Sequence, residues 1–357
     1  MFVSHFSSLR PVCPNCRLRK ETVPLRLTAV EEQQGDDVIS GIIGCAACGA
    51  EYPVIEGLPI LVTDVRRYLQ DNLFYLLART DLTPAVESLV GDASGPGSMF
   101  ESARQHLSSY GWDHWGEFDP EERAPACDGA RPGAVARALD AVMALAGDDL
   151  PEGPILDVGC GVGRSVHELA MRHERTVLGI DLGASLARAA RRAVVGGRVD
   201  YSRRRIGLAY DRRRFSVPPA PGGRADIWIC DVLSLPFADE SFALIVGMNV
   251  LDCLGNPREG LMEMDRVLAS GGEVVLTVPF DWSAAVTPVE SWIGGHSQRG
   301  PHGGSGETIL DHLLTDGPLA AGTLRRKSST VEIPWHVRLH ERSCMHYQTY
   351  GIAARRG

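Results

Sequence analysis

Apolar positions fall into two regimes along this chain. From residue 132 onward, short buried runs alternate with segments of helical period. Ile155-Leu-Asp-Val158, Val177-Leu-Gly-Ile-Asp181, Ala225–Cys230, Phe242–Val246 and Glu273–Thr277 read as strands. Between them, Pro132–Ala146, Ser165–Arg172, Ala184–Val194 and Arg258–Leu268 place apolar groups on one helical face, the first with proline at its start. Continuous apolar strands alternating with helices predict an α/β domain whose parallel sheet is covered on both faces. Residues 324–355 read as two long strands, an antiparallel hairpin at the sheet edge.

The first third has a different texture. Residues 1–63 are rich in Cys, Gly and Pro, with short β-like runs such as Val38–Ile43, and predict a small β-rich module. Residues 65–80 carry helical spacing, and Gly91–Ser98 reads as a flexible linker. The expected organisation is a module over 1–63, a linker helix and lid region over 64–131, and the α/β domain over 132–357.

Composition narrows the class. With 44% hydrophobic and 23% charged residues, the chain matches an ordinary soluble globular protein. No apolar run approaches the ~20 residues of a membrane span. The start lacks a basic head followed by an apolar core, so no secretory signal is expected. Nine cysteines, four of them in two Cys-x-x-Cys pairs, suit metal binding in a reducing compartment, and the expected location is the cytoplasm. A net charge of −9 argues against a general nucleic-acid binder. Locally, residues 198–214 hold seven arginines, readable as an anion-binding patch or as a solvated loop paired with acids elsewhere.

Chemistry enters at Asp157-Val-Gly-Cys-Gly-Val-Gly163, directly between a strand and a helix. Glycines there allow a sharp turn and close ligand approach, and the helix start presents free N–H groups. Arg164 stands where a dinucleotide fingerprint needs its third glycine. Asp181, ending the next strand, suits two ribose hydroxyls, and Asp231-Val232 suits an adenine edge. The run Ile155–Val278 resembles the class I methyltransferases that use S-adenosylmethionine. Leu235–Phe242, Asn249–Leu254 and Arg266-Val-Leu-Ala-Ser-Gly-Gly272 resemble that family's later motifs, with Ser270, Ala243 and Cys253 as departures. The resemblance implies a doubly wound, mostly parallel, seven-stranded Rossmann-like sheet. It assigns cofactor binding to Asp157, Gly159, Gly161, Gly163, Asp181, Leu182, Asp231, Val232 and Asn249. Cys253 replaces a frequent histidine, so the resemblance supplies no base there.

Cys13-Pro-Asn-Cys16 and Cys45-Ala-Ala-Cys48 each bring two thiolates onto a tight turn, with 28 residues between the pairs. Four such ligands suit a closed, structural, tetrahedral zinc site with no open position for catalysis. The segment Cys45–Leu61 resembles the small zinc-binding activators that partner class I methyltransferases and their short bacterial relatives, over about residues 9–63. That resemblance implies a zinc ribbon fused to the enzyme and docked against its sheet or lid; recruitment of RNA or protein is the rival reading.

Methyl transfer needs alignment of nucleophile and methyl in a dry site, and a base only if the acceptor arrives protonated. Two stretches outside the core qualify as acceptor walls. Tyr110–Phe118 reads as a lid, with His114 as base and Tyr110 and Trp115 against substrate, or else as an aromatic packing cluster. In Pro279–Arg299, Asp281 and Trp282 are expected near the methyl group. Glu290, Trp292 and Arg299 are expected to contact substrate, with His296 the preferred base. Tyr201 and Tyr210 are further candidates. The expected function is S-adenosylmethionine-dependent methylation of a small molecule at O, N or C. The alternatives are methylation of tRNA or a translation-associated protein, and a non-catalytic cofactor-binding partner. Met248-Asn-Val-Leu251 stands where adenine and glutamine methylases carry Asn-Pro-Pro-Tyr, which weakens those versions.

Overall fold

A computed structural model describes residues 1–122, 129–147, 149–315 and 320–357; of the expected linker and lid region, positions 123–128 lie outside the described residues. The chain begins with α1 (Val3–Leu9) and α2 (Pro14–Arg17), then β1 (Arg26–Gln34), β2 (Asp37–Gly44), β3 (Glu51–Ile55) and β4 (Leu58–Leu61). Three helices follow: α3 (Val65–Leu77), α4 (Pro84–Ser94) and α5 (Met99–Trp115). Next come α6 (Ala134–Met143), β5 (Ile155–Val158), α7 (Arg164–Arg172), β6 (Val177–Asp181) and α8 (Ala184–Val194). A hairpin of β7 (Arg198–Ile206) and β8 (Ala209–Ser216) precedes β9 (Ala225–Cys230) and β10 (Phe242–Met248). The chain ends with α9 (Pro257–Val267), β11 (Leu268–Val278), α10 (Gly306–Leu313), β12 (Leu324–His340) and β13 (Ser343–Arg356).

The main sheet has eleven strands in the order β1-β2-β3-β4-β9-β6-β5-β10-β11-β13-β12. From β4 to β11 neighbours run parallel, and the C-terminal hairpin adds antiparallel through β13. Strands β5, β9 and β10 are buried at every position, as a sheet covered on both faces requires.

The expectation of seven strands beside a separate module is corrected here. Ile60 and Leu61 of β4 pair in parallel with Ile229 and Cys230 of β9, so the N-terminal strands extend the parallel sheet. The physical reason is a shared core: Tyr52 and Leu61 pack in one apolar cluster with Leu178 and Trp228. Arg191 on α8 ties the join by donating to both Asp37 and Asp226.

Two other connections also differ from expectation. Gly91–Ser94 completes α4, and Ser98 caps α5 by accepting from the Glu101 N–H at 3.2 Å. The arginine-rich segment is a hairpin. Arg203 faces Glu122, Arg205 faces Asp211, Arg212 and Arg214 face Asp200, and Arg213 faces Asp119. The hairpin lies on α5, where a β-carbon on Gly111 would meet the Tyr201 ring at 2.6 Å. Tyr201 is thus packing, and Tyr210 donates to Glu101 at 2.7 Å. Among the described residues, no helix is long and apolar enough to cross a membrane.

Candidate active site

A cavity of about 610 Å³ opens beyond the carboxyl ends of β5, β6, β9 and β10. Helix α5 closes it with Tyr110, Asp113 and His114, and the C-terminal hairpin with Trp335, Val337 and Tyr347. Its volume falls in the ordinary range of ligand sites, about 300–1,000 Å³.

Asp181 stands at the cavity edge. Its Oδ2 accepts from the Gly161 N–H at 2.9 Å and its Oδ1 from the Gly183 N–H at 2.7 Å. Burial raises this carboxyl to about 6, against the pull of those two amides. Each oxygen keeps a lone pair for a further donor. Gly161 has φ +55, and a β-carbon there would press on Tyr110 and His114 at 3.1 Å, so the loop passes closely beneath the lid.

Gly163 answers a different need. At φ +87 it caps α7, and a β-carbon would meet Val194 at 2.8 Å and Ala190 at 3.0 Å. It serves helix packing and does not line the cavity. Asp157 is buried behind the loop, where the Ser165 hydroxyl donates to Oδ2 and Oδ1 has no hydrogen-bond partner. Burial pushes it up to about 7. Ser165, rather than Asp157, reaches the cavity wall.

Asp231 and Val232 line the adjoining side with Leu182, and Asp231 Oδ1 accepts from the Leu233 N–H at 2.9 Å. Asn249 closes β10 at φ +52. Its amide oxygen accepts from the Thr277 hydroxyl at 2.7 Å, which fixes the turn at the cavity floor.

His114 Nδ1 accepts from the Arg164 N–H at 3.2 Å. Burial, with Arg164 adding to it, lowers the imidazole to about 3. The ring is neutral with Nε2 protonated, which does not suit the expected base. Trp115 is 1% exposed and donates to the Val162 carbonyl at 2.8 Å, packing the lid onto the glycine loop.

The loop after β11 divides. Asp281 lines the cavity, and the Tyr347 hydroxyl donates to its Oδ2 at 2.8 Å. Trp282 and Trp292 stack on each other at 6.0 Å away from the lining. Glu290, His296 and Arg299 are exposed and also lie off it. The chain turns at Phe280 (φ +54), and Thr287 anchors the loop outside the site by donating to the Leu254 carbonyl at 2.7 Å.

Asp113, Asp252, Trp335 and Tyr347 line the cavity without having been singled out by sequence reasoning. Asp252 sits in the Asn249–Leu254 motif and Asp113 beside His114, so the signal for both was a carboxylate within a motif already noticed. Burial raises Asp252 to about 6, against the pull of the Asp281 amide. Burial, then Asp252, raises the Cys253 thiol to about 12, which leaves it protonated.

At the far end of the sheet, the Sγ atoms of Cys13, Cys16, Cys45 and Cys48 lie within 4.8 Å of one another. Cys13 and Cys48 are 3.6 Å apart and Cys16 and Cys45 3.7 Å. A tetrahedron with Zn–S bonds of about 2.3 Å has edges of about 3.8 Å, so the donor set fits zinc. Tyr52 Oη lies 3.2 Å from Cys13 Sγ and the Arg19 guanidinium donates to Cys16 Sγ at 3.4 Å, both suited to thiolate charge.

Residues 156–276 match the family described as "Methyltransferase domain". Ajmaline N-methyltransferase of Rauvolfia serpentina is 23% identical over 188 residues, covering 51% of this chain and 54% of that protein. Chloroplastic tocopherol O-methyltransferase of Arabidopsis thaliana is 24% identical over 168 residues, 46% of this chain and 42% of that protein. The chain spans about half the length of these curated relatives. A solved S-adenosylmethionine-dependent methyltransferase of Methanosarcina mazei overlaps 60% of this chain and 96% of its own at 22% identity, with a TM-score of 0.39. The match to a methyltransferase domain thus falls on residues 156–276, within the α/β sheet of parallel strands and covering helices.

Proposed function

We propose that this chain is an S-adenosylmethionine-dependent methyltransferase acting on a small molecule, with a structural zinc in its N-terminal module. The observation that carries the reading is Asp181, held by the Gly161 and Gly183 amides at the mouth of a cavity large enough for cofactor and acceptor. Asp181 would accept from the ribose hydroxyls, Asp231 and Val232 would meet the adenine, and the glycine loop would carry the methionine portion. When bound, the cofactor supplies a methyl group already activated on sulfonium. The chain's own task is to align the acceptor and exclude water, for which the buried lid of α5 and the hairpin wall are suited. Ajmaline and tocopherol, in the names of the two relatives, are small molecules, which supports the acceptor class. The pairing of arginines in β7 and β8 with carboxylates weakens the reading of that hairpin as an RNA-binding patch.

The test is transfer of label from S-adenosylmethionine into host extract, fractionated into small molecules, RNA and protein. Label in the small-molecule pool is expected. Asp181→Ala removes two charge-assisted acceptors and is expected to lower the rate and S-adenosylhomocysteine affinity at least ~100-fold. Label in RNA or protein would overturn the acceptor class, and undiminished transfer by the variant would overturn the cofactor site.

A further inference from the structure

Helix α5 meets the glycine loop through a side chain whose two ring nitrogens have different tasks. His114 is 5% exposed, and its Nδ1 accepts from the Arg164 N–H at 3.2 Å. Arg164 is the first residue of α7, so the imidazole satisfies one of the free N–H groups at that helix start. A neutral ring that accepts at Nδ1 carries its hydrogen on Nε2. Among the described residues Nε2 has no hydrogen-bond partner, and it is not one of the polar atoms shut off from solvent. It lies 3.2 Å from the point where a β-carbon on Gly161 would stand, and His114 shares the cavity wall with Gly159, Cys160 and Asp181.

The surroundings of this donor favour an anion. Burial, then the positive charge of Arg164, lowers the ring to about 3. The potential that disfavours a second proton on the ring favours a negative group beside it. The start of α7 adds in the same direction, since it carries the positive end of the helix dipole and its N–H polarises the imidazole. Arg164 itself is engaged: its guanidinium donates to Glu117, to Glu168 at 2.8 Å and to the His114 carbonyl at 2.8 Å. Among the described residues lining the cavity there is no lysine or arginine. Three of its hydroxyls are also engaged, Ser109 with the Arg338 carbonyl, Ser165 with Asp157 and Tyr347 with Asp281. Tyr110, one turn before His114, is placed differently. Burial, then Cys253 and the carboxylates of Asp181, Asp113 and Asp252, raises its phenol, so an anion there would meet like charge.

We propose that the Nε2–H of His114 binds the carboxylate of the cofactor's methionine portion, so that α5 reads the amino-acid end of S-adenosylmethionine. The proposal rests on the methyltransferase reading, in which Asp181 takes the ribose and the glycine loop carries the methionine portion. That carboxylate is the one anionic group of the cofactor. The lid histidine thereby has a binding role in place of the base expected of it.

Calorimetric titration of the full chain tests this with S-adenosylhomocysteine and with S-adenosyl-3-thiopropylamine, the same molecule without the carboxylate. Wild type is expected to bind the first at least ~10-fold more tightly, the scale of a hydrogen bond to a charged group. His114→Asn keeps an acceptor at the Nδ1 position for the Arg164 N–H and loses the reach of Nε2. It is expected to bind S-adenosylhomocysteine at least ~10-fold more weakly, with the affinity for the amine analogue and the unfolding midpoint unchanged. His114→Gln, which carries an amide N–H at the Nε2 position, is expected to restore most of the loss. The proposal is overturned if wild type binds the two compounds alike, if His114→Asn weakens both alike, or if it weakens neither. It is also overturned if 3-phenylpropanoate binds protein saturated with S-adenosylhomocysteine and His114→Asn abolishes that binding, since Nε2 would then serve a carboxylate on the acceptor. Should neither adenosyl compound bind wild type, the methyltransferase reading fails and this assignment with it. Tight binding of both at equal strength sinks the assignment alone.

Discussion

A carboxylate buried without a cation leaves a signature in the pH dependence of stability. Asp252 is raised by burial to about 6, whereas in the unfolded chain it titrates near 4. The folded state therefore binds more protons in that window, and stability falls as pH rises through it. Asp157, raised to about 7, and Asp181, raised to about 6, act in the same direction. Asp252→Asn removes one contribution. In ligand-free protein it is expected to be more stable than wild type by about 2–3 kcal/mol above pH 7, with no gain below about pH 4. Urea unfolding across that range checks it, and a pH-independent difference would contradict the burial of this charge.

Element packing concentrates where the glycine loop passes into α7. The α8 face toward that turn is built from alanines, with Ala187, Ala190 and Ala193 buried, so the helix comes close enough that Gly163 has no room for a β-carbon. Gly163→Ala imposes a left-handed backbone on a residue with a side chain, about 1–2 kcal/mol, and adds the clash with Val194 and Ala190. A loss of at least ~2 kcal/mol is expected in thermal or urea unfolding. An unchanged midpoint would mean that α8 relaxes away from the loop at little cost.

Across the whole molecule, the strands that follow the cysteine pairs and the parallel strands around the cavity belong to one sheet. The N-terminal strands join β9 through Ile60 and Leu61, and Arg191 bridges Asp37 and Asp226 across the junction. Metal bound by the four thiols is expected to stabilise the methyltransferase domain as well as its own turns. Native protein should contain one zinc per chain. Chelation, or Cys45→Ser, should lower the single unfolding midpoint measured both by far-ultraviolet dichroism and by S-adenosylhomocysteine protection. Clearly substoichiometric metal would refute the site, and two separate transitions would refute the mechanical coupling.

Local pattern alone determined several elements of this protein. Ile155–Val158, Val177–Asp181, Ala184–Val194 and Ala225–Cys230 occur at the boundaries read from apolar runs and turn residues, because a strand covered on both faces is largely apolar along its length and a helix packed by one face is apolar at helical spacing. The glycine loop, Asp181 and the cysteine pairs were legible for the same reason: each is a short-range spacing that survives whatever the rest of the chain does. Tertiary structure decided which side chains reach the cavity. On α5, Asp113 lines it while Trp115, two residues on, packs against Val162. His296 lies outside because Phe280 turns the loop away and Thr287 pins it there. Tyr347 comes in from the far end of the chain on the terminal hairpin. The union of β4 with β9 was likewise invisible, since the apolar run Leu58–Leu61 is the same whichever partner it finds. Periodicity reports how a segment buries itself, whereas the wall of a cavity is built by contacts between residues far apart in sequence, and no local pattern encodes those.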